Sequence, residues 1–122
     1  MSLQTAGPAG EERLQRAIAL KVEGRYDDAL GELRPLLEAE PENPRAHREL
    51  GLVLNFTGEF DESIEELRRA VELDSGYLEA RCDLALAYMM LGQNDEALAE
   101  LEAVLAVEPE HATAKRHIVY LR

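Results

Sequence analysis

The chain has 122 residues, 46% hydrophobic and 31% charged, which is apolar enough for a buried core and too apolar for general disorder. Its 25 acids against 13 bases give a formal net charge of −12 with no basic block, which argues against nucleic acid or an anionic membrane surface as partner. Aromatics make up 5% and Trp is absent, so the core must be mostly Leu, Ala, Val and Ile, a mixture suited to helix-on-helix packing.

The opening MSLQTAGPAG has neither the basic n-region nor the apolar h-region of a secretory signal. Residues 1–9 read as a disordered lead-in or a cloning scar. From Glu12 to Val22 the apolar residues Leu14, Ala17, Ile18 and Leu20 have helical spacing. Gly24 ends that helix, and Asp27 and Asp28 are placed to cap or charge-complement the next. The second helix is expected from about Asp27 to Glu40, with Ala29, Leu30, Leu33, Leu36 and Leu37 as its apolar face. Pro35 inside it removes a backbone hydrogen bond and predicts a kink. The PENP segment at 41–44 breaks the chain, and its last proline can open a helix. Helices then follow near 44–57 and 61–73, stopped by Asp74, Ser75 and Gly76. Two more lie near 78–91 and 95–107, ended by Pro109. The stretch from Ala112 to Arg122 restarts a first-helix pattern with Ala114, Ile118 and Leu121. No apolar run approaches the ~18 residues of a membrane span. The single cysteine, Cys82, excludes an internal disulfide, and a cytoplasmic location is expected.

The same unit recurs. Gly24, Gly58 and Gly92 stand at a fixed step of 34 residues, as do Asp27, Asp61 and Asp95, and Leu33, Leu67 and Leu101. A fixed period in this range signals stacked supersecondary units. Connections this short make neighbouring helices antiparallel, and each unit hides its apolar face only against its neighbours.

The pattern resembles the tetratricopeptide repeat. Small residues stand where the two helices of a unit would cross (Ala17, Gly51, Ala85, then Ala29, Ser63, Ala97). The turns read Gly24-Arg-Tyr26-Asp27, Gly58-Glu-Phe60-Asp61 and Gly92-Gln-Asn94-Asp95, and Pro41 and Pro109 close two of the units. The aromatic that the family carries early in each first helix is replaced by Arg13, His47 and Arg81. The resemblance implies an all-α, right-handed α-solenoid of three stacked helix–turn–helix repeats, 10–43, 44–77 and 78–111, with a C-terminal capping helix over 112–122.

No residue pattern points to catalysis, a metal or a cofactor. His47, His111 and His117 do not share a helical face, Ser63 sits at a packing position, and each turn glycine ends a helix instead of opening one. The resemblance implies instead a non-catalytic protein-interaction module, whose first helices line a concave groove through the second, fifth, ninth and twelfth or thirteenth positions of each repeat. On this chain the candidate groove is Leu14, Ile18, Arg45, Arg48, Leu52, Asn55, Phe56, Cys82, Leu86, Met89, Met90, Arg116 and Tyr120. Apolar rows at helical spacing point to an amphipathic helix or apolar peptide as ligand. Arg45, Arg48 and Arg116 are expected to meet acids on that partner. Leu14, Leu52 and Leu86 also read as core, and Cys82 as a small buried hydrophobe. The Lys, Asn and Arg clamp by which one subgroup grips a chaperone carboxylate is not reproduced. Leu14, Ile18 and Leu52 replace it, and Glu79 and Asp83 would repel a carboxylate. Two alternatives remain open: self-association through the groove or a solenoid end, and a scaffold fragment of a larger protein.

Overall fold

The computed structural model describes residues 8–122, and among them the chain forms seven α-helices. They are α1 Pro8–Val22, α2 Tyr26–Ala39, α3 Pro44–Phe56, α4 Phe60–Leu73, α5 Leu78–Met90, α6 Asn94–Val107 and α7 Ala112–Ile118. Each packs antiparallel on the next in chain order, so α1/α2, α3/α4 and α5/α6 are three hairpins and α7 covers the end of the third. The first helix takes in Pro8 and Ala9, two residues of the segment read as a lead-in. The rest of that segment lies outside the described residues.

The hairpin turns follow one design. Gly24, Gly58 and Gly92 have φ of 79°, 84° and 74°, a backbone region that glycine enters without a Cβ penalty. Beyond each, a backbone N–H reaches back to the last helical turn: Arg25 to the Leu20 carbonyl, Glu59 to Leu54 and Gln93 to Tyr88, at 2.9, 2.8 and 2.9 Å. This is the Schellman closure of a helix C-terminus. Asp27, Asp61 and Asp95 lie inside the first turn of the next helix, where they complement its dipole. They do not cap it, because the capping positions are Arg25, Glu59 and Gln93, none of which makes a side-chain cap bond. A side-chain cap does appear at α3, where Asn43 Oδ1 accepts from the Ala46 N–H at 3.1 Å ahead of Pro44. Helix α2 runs through Pro35 unbroken. Pro35 is exposed, and the carbonyl it leaves unbonded belongs to the exposed Gly31, so water can satisfy that group.

Two clusters form the core. The first joins α1, α2 and α3 through Leu14, Ala17, Ala29, Leu33, Leu36, Leu50, Val53 and Leu54. The second joins α4 to α7 through Ile64, Leu67, Leu84, Ala85, Tyr88, Leu101, Val104, Ala114 and Ile118. The small residues lie at the crossings, as expected. Ala17, Gly51 and Ala85 are buried, as are Ala29, Ser63 and Ala97. At the α3/α4 crossing a Cβ added to Gly51 would lie 2.7 Å from Leu67 Cγ and 3.3 Å from the Ser63 carbonyl. The Ser63 hydroxyl donates to the Gly51 carbonyl at 2.7 Å, which satisfies both buried groups.

The missing family aromatic has a structural replacement. His47 Nδ1 lies 2.7 Å from Glu66 Oε1 and its Nε2 2.7 Å from the Pro41 carbonyl. Arg81 bonds the same places one repeat on, Glu100 Oε1 at 2.9 Å and the Ser75 carbonyl at 3.1 Å. Arg13 pairs with Glu32 at 3.3 Å. A polar clasp thus ties each first helix to its second helix, and in repeats two and three also to the loop before it.

Two substitutions test these contacts. Gly51→Ala should lower stability in urea denaturation by about 1–3 kcal/mol, because Leu67 is fully buried and cannot swing aside; an unchanged midpoint would contradict the crossing. His47→Ala should cost about 1–2 kcal/mol, while His47→Arg, the residue used in the other two repeats, should retain most of that stability.

Candidate functional site

The inner face is defined by which helices approach one another. Helix α1 contacts α3, α3 contacts α5, and α5 contacts α7, whereas α2, α4 and α6 make no comparable mutual approach. The first helices therefore line the concave side, and their residues outside the two core clusters fall into two strips.

The first strip is ionic and internally paired. Lys21 Nζ lies 2.6 Å from Glu49 Oε1, which ties α1 to α3. Arg48 Nε donates to Asp83 Oδ2 at 2.6 Å, which ties α3 to α5, and Arg48 also lies 3.9 Å from Glu49. Its guanidinium sits 5.8 Å from the Tyr77 ring centre, within cation–π range. At the edge, Arg45 lies 3.3 Å from Glu11. Burial raises the Asp83 carboxyl above its usual range, and Arg48 opposes this without cancelling it. Burial also works against the Arg48 charge, but Asp83 holds the guanidinium above its ordinary value. These charges are paired with one another across the junctions.

The second strip is apolar. Val22, Phe56 and Met90 occupy one position in each repeat and are 79%, 60% and 57% exposed. Beside them Ile18, Leu52 and Leu86 are half-buried in a parallel row that Tyr120 extends onto the chain after α7. Met89 is half-buried next to Met90. The Phe56 ring stacks on Tyr26 at 5.4 Å between centres and an 18° interplanar angle, which fixes it across the first repeat junction. Asn55, in register with Lys21 and Met89, has a buried Oδ1 without a hydrogen-bond partner among the described residues.

Some expected groove residues lie elsewhere. Leu14 is fully buried in the first core cluster and Cys82 is buried in the second, so neither side chain reaches the trough surface. Burial, with Asp83 and Glu79 nearby, pushes the Cys82 thiol up to about 11. Half-buried Arg48 is taken by Asp83, which corrects the expectation of a free arginine there, while Arg45 is exposed and makes a surface pair with Glu11. Among the described residues Arg116 is exposed and has no such acid. Glu49 and Tyr77 were not foreseen. A signal for Glu49 existed, since it and Asp83 place an acid at the same position in successive repeats.

Comparison with known proteins follows the same outline. Residues 14–77 match one family model described as tetratricopeptide repeat, and residues 57–116 match a second of the same description. No curated protein matches the chain. Among solved structures, the first TPR of Spaghetti (RPAP3) bound to the HSP90 peptide SRMEEVD superposes with a TM-score of 0.91 at 20% identity, over 98% of this chain and 95% of that one. The second TPR domain of human RPAP3, in complex with the HSP70 peptide SGPTIEEVD, gives 0.84 at 22% identity, over 89% and 91%. YrrB, described as a TPR protein with an unusual peptide-binding site, gives 0.82 at 21% identity, over 88% of this chain and 56% of that one.

The ionic strip and the buried thiol each have a test. Asp83→Asn and Arg48→Met should each lower stability by about 1–3 kcal/mol, because each leaves a partly buried partner uncompensated. The Arg48→Met, Asp83→Asn double variant should lose less than the sum, by a coupling of about 0.5–3 kcal/mol in a double-mutant cycle. Cys82 should alkylate at pH 8 at least about tenfold more slowly in the folded than in the unfolded chain. The folded thiol ionises later than the unfolded one, so this site's contribution to stability should fall as pH rises above the ordinary thiol range and level off past about 11.

Proposed function

The chain belongs to the tetratricopeptide repeat family, and from that premise we propose that it is a non-catalytic protein-interaction module. Its trough takes up an apolar peptide or an amphipathic helix of a partner protein. In this reading residues 10–43, 44–77 and 78–111 are the three repeats and 112–122 the cap. The observation that carries it is the exposed row of Val22, Phe56 and Met90, repeated once per unit along one side of the trough. Apolar area left in water costs roughly 25 cal/mol per Å², and a contiguous apolar stripe on a protein surface marks an interaction site. Methionine, unbranched and polarizable, suits a surface that moulds itself to a ligand. The chaperone peptides in two of the similar structures are acidic at their ends. Such a peptide would meet exposed Glu79 in this trough, with both Arg45 and Arg48 already paired. This favours an apolar ligand over a carboxylate tail.

One observation favours a second reading, self-association through the C-terminal end. Val119 occupies the position held by Ala17, Gly51 and Ala85 in the repeats, but it is 65% exposed, and Val107 nearby in sequence is 67% exposed. Light scattering across a concentration series separates the two readings. The first expects a monomer at concentrations where partners bind; the second expects mass to rise with concentration and to fall back in Val119→Ser.

The decisive comparison is a pull-down with the parent chain, Phe56→Ala and Met90→Glu. Met90 is exposed, so its variant should melt within about 0.5 kcal/mol of the parent. Phe56→Ala loses its stacking on Tyr26 and should melt lower by about 0.5–1.5 kcal/mol. Both should lose partners; if both retain every partner, the trough is not the site.

A further inference from the structure

Along the turns that follow the apolar row, the unpaired charge among the described residues is acidic. Glu23 follows Val22, Glu59 and Asp61 lie around the turn after Phe56, and Asp95 and Glu96 open the helix after Met90. With Asp27 at the start of α2, these six acids are exposed and none has a salt-bridge partner among the described residues. The cation in these turns, Arg25, is taken by Asp28 at 2.7 Å. On the other side of the row lies the ionic strip, where Lys21, Arg48 and Arg45 already neutralise Glu49, Asp83 and Glu11. On that second side the charges left free among the described residues, Glu79 and Arg116, are of opposite sign. An apolar seat with an acidic border on one flank and a mixed border on the other is complementary to a ligand with cations along one edge.

Spacing adds the ligand's form. Packed helices lie about 8–10 Å apart, and a helix rises about 10.5 Å in seven residues. A ligand helix lying along the solenoid therefore sets an apolar residue on each first helix at heptad spacing, and about 20 residues cross all three repeats. Deepening the reading above and resting on it, we propose that the occupant of the trough is a cationic amphipathic helix. Its apolar residues seat on Val22, Phe56 and Met90, and Lys or Arg on one flank faces the helix–helix turns.

Three synthetic peptides of about 21 residues test this by fluorescence anisotropy. One carries leucines at heptad spacing with lysines along one flank, one replaces the lysines by glutamates, and one shuffles the lysine peptide. The lysine peptide should bind the chain about tenfold or more tightly than the glutamate peptide at low salt, with the advantage shrinking at high salt. Its shuffled version should bind at least about tenfold more weakly. A Glu59→Gln, Asp61→Asn, Asp95→Asn variant, which removes three of the six acids, should reduce the lysine peptide's advantage over the glutamate peptide, and Val22→Ser, Met90→Ser should weaken both. Equal affinity for lysine and glutamate peptides overturns the cationic assignment while leaving an apolar groove in place. Equal affinity for the shuffled peptide overturns it too, since attraction then needs no helix face. If no peptide binds, or the double serine variant binds as the parent does, the proposal fails together with the groove reading.

Discussion

The fold rests on how closely two helices can approach within one hairpin. Gly51 lies against Leu67 and Ser63 with no room for a methyl group, and Ala17 and Ala85 hold the same place in the other two hairpins. Helices come this near only where the crossing residue is small. Once they do, Leu33, Leu67 and Leu101 are buried to the last atom. Each first helix is then held on the inner side, where it meets the first helix of the next hairpin. The trough is a by-product of that stacking, and its residues need only be those the crossing leaves uncovered.

Charge organises what the apolar contacts leave open. Where a large aromatic would otherwise wedge the hairpin, Arg13, His47 and Arg81 reach a glutamate on the second helix. This directional contact substitutes for volume, and it holds for a base of either kind provided the acceptors stay in place. On the inner face, Lys21 and Arg48 each cross to an acid on the following first helix. A chain with net charge −12 therefore carries a trough floor close to neutral, and its free acid is concentrated at the turns and outer surfaces.

Periodicity made most of the fold legible. The glycines, small residues and leucines recur every 34 residues and impose the hairpins, the turns and the crossings. Helix ends fell within a few residues of expectation, and the two largest differences lie at the ends of the array: Pro8 in place of Glu12, and Ile118 in place of Arg122 at the close of the last helix. The site was less legible for a physical reason. A position that faces the groove in one repeat can be swallowed by its neighbour in another: Leu14 and Cys82 are buried, while Arg48, at the same position in the middle repeat, remains half-buried. Nor does one chain's list of charges reveal which are spent on each other. Arg48 looked available because its partner Asp83 lies a whole repeat away along the chain.

The pairing across the inner face also gives the stack a grammar. In the two pairs that lie deepest on that face the cation belongs to the earlier unit and the acid to the later one: Lys21 addresses Glu49, and Arg48 addresses Asp83, whereas the exposed edge pair of Arg45 and Glu11 runs the other way. Bricks of similar shape would then not be free to trade places. Exchanging the second and third units would set Cys82 where Arg48 now addresses its neighbour. The hairpins share one shape, but the charges along their inner faces differ from one junction to the next.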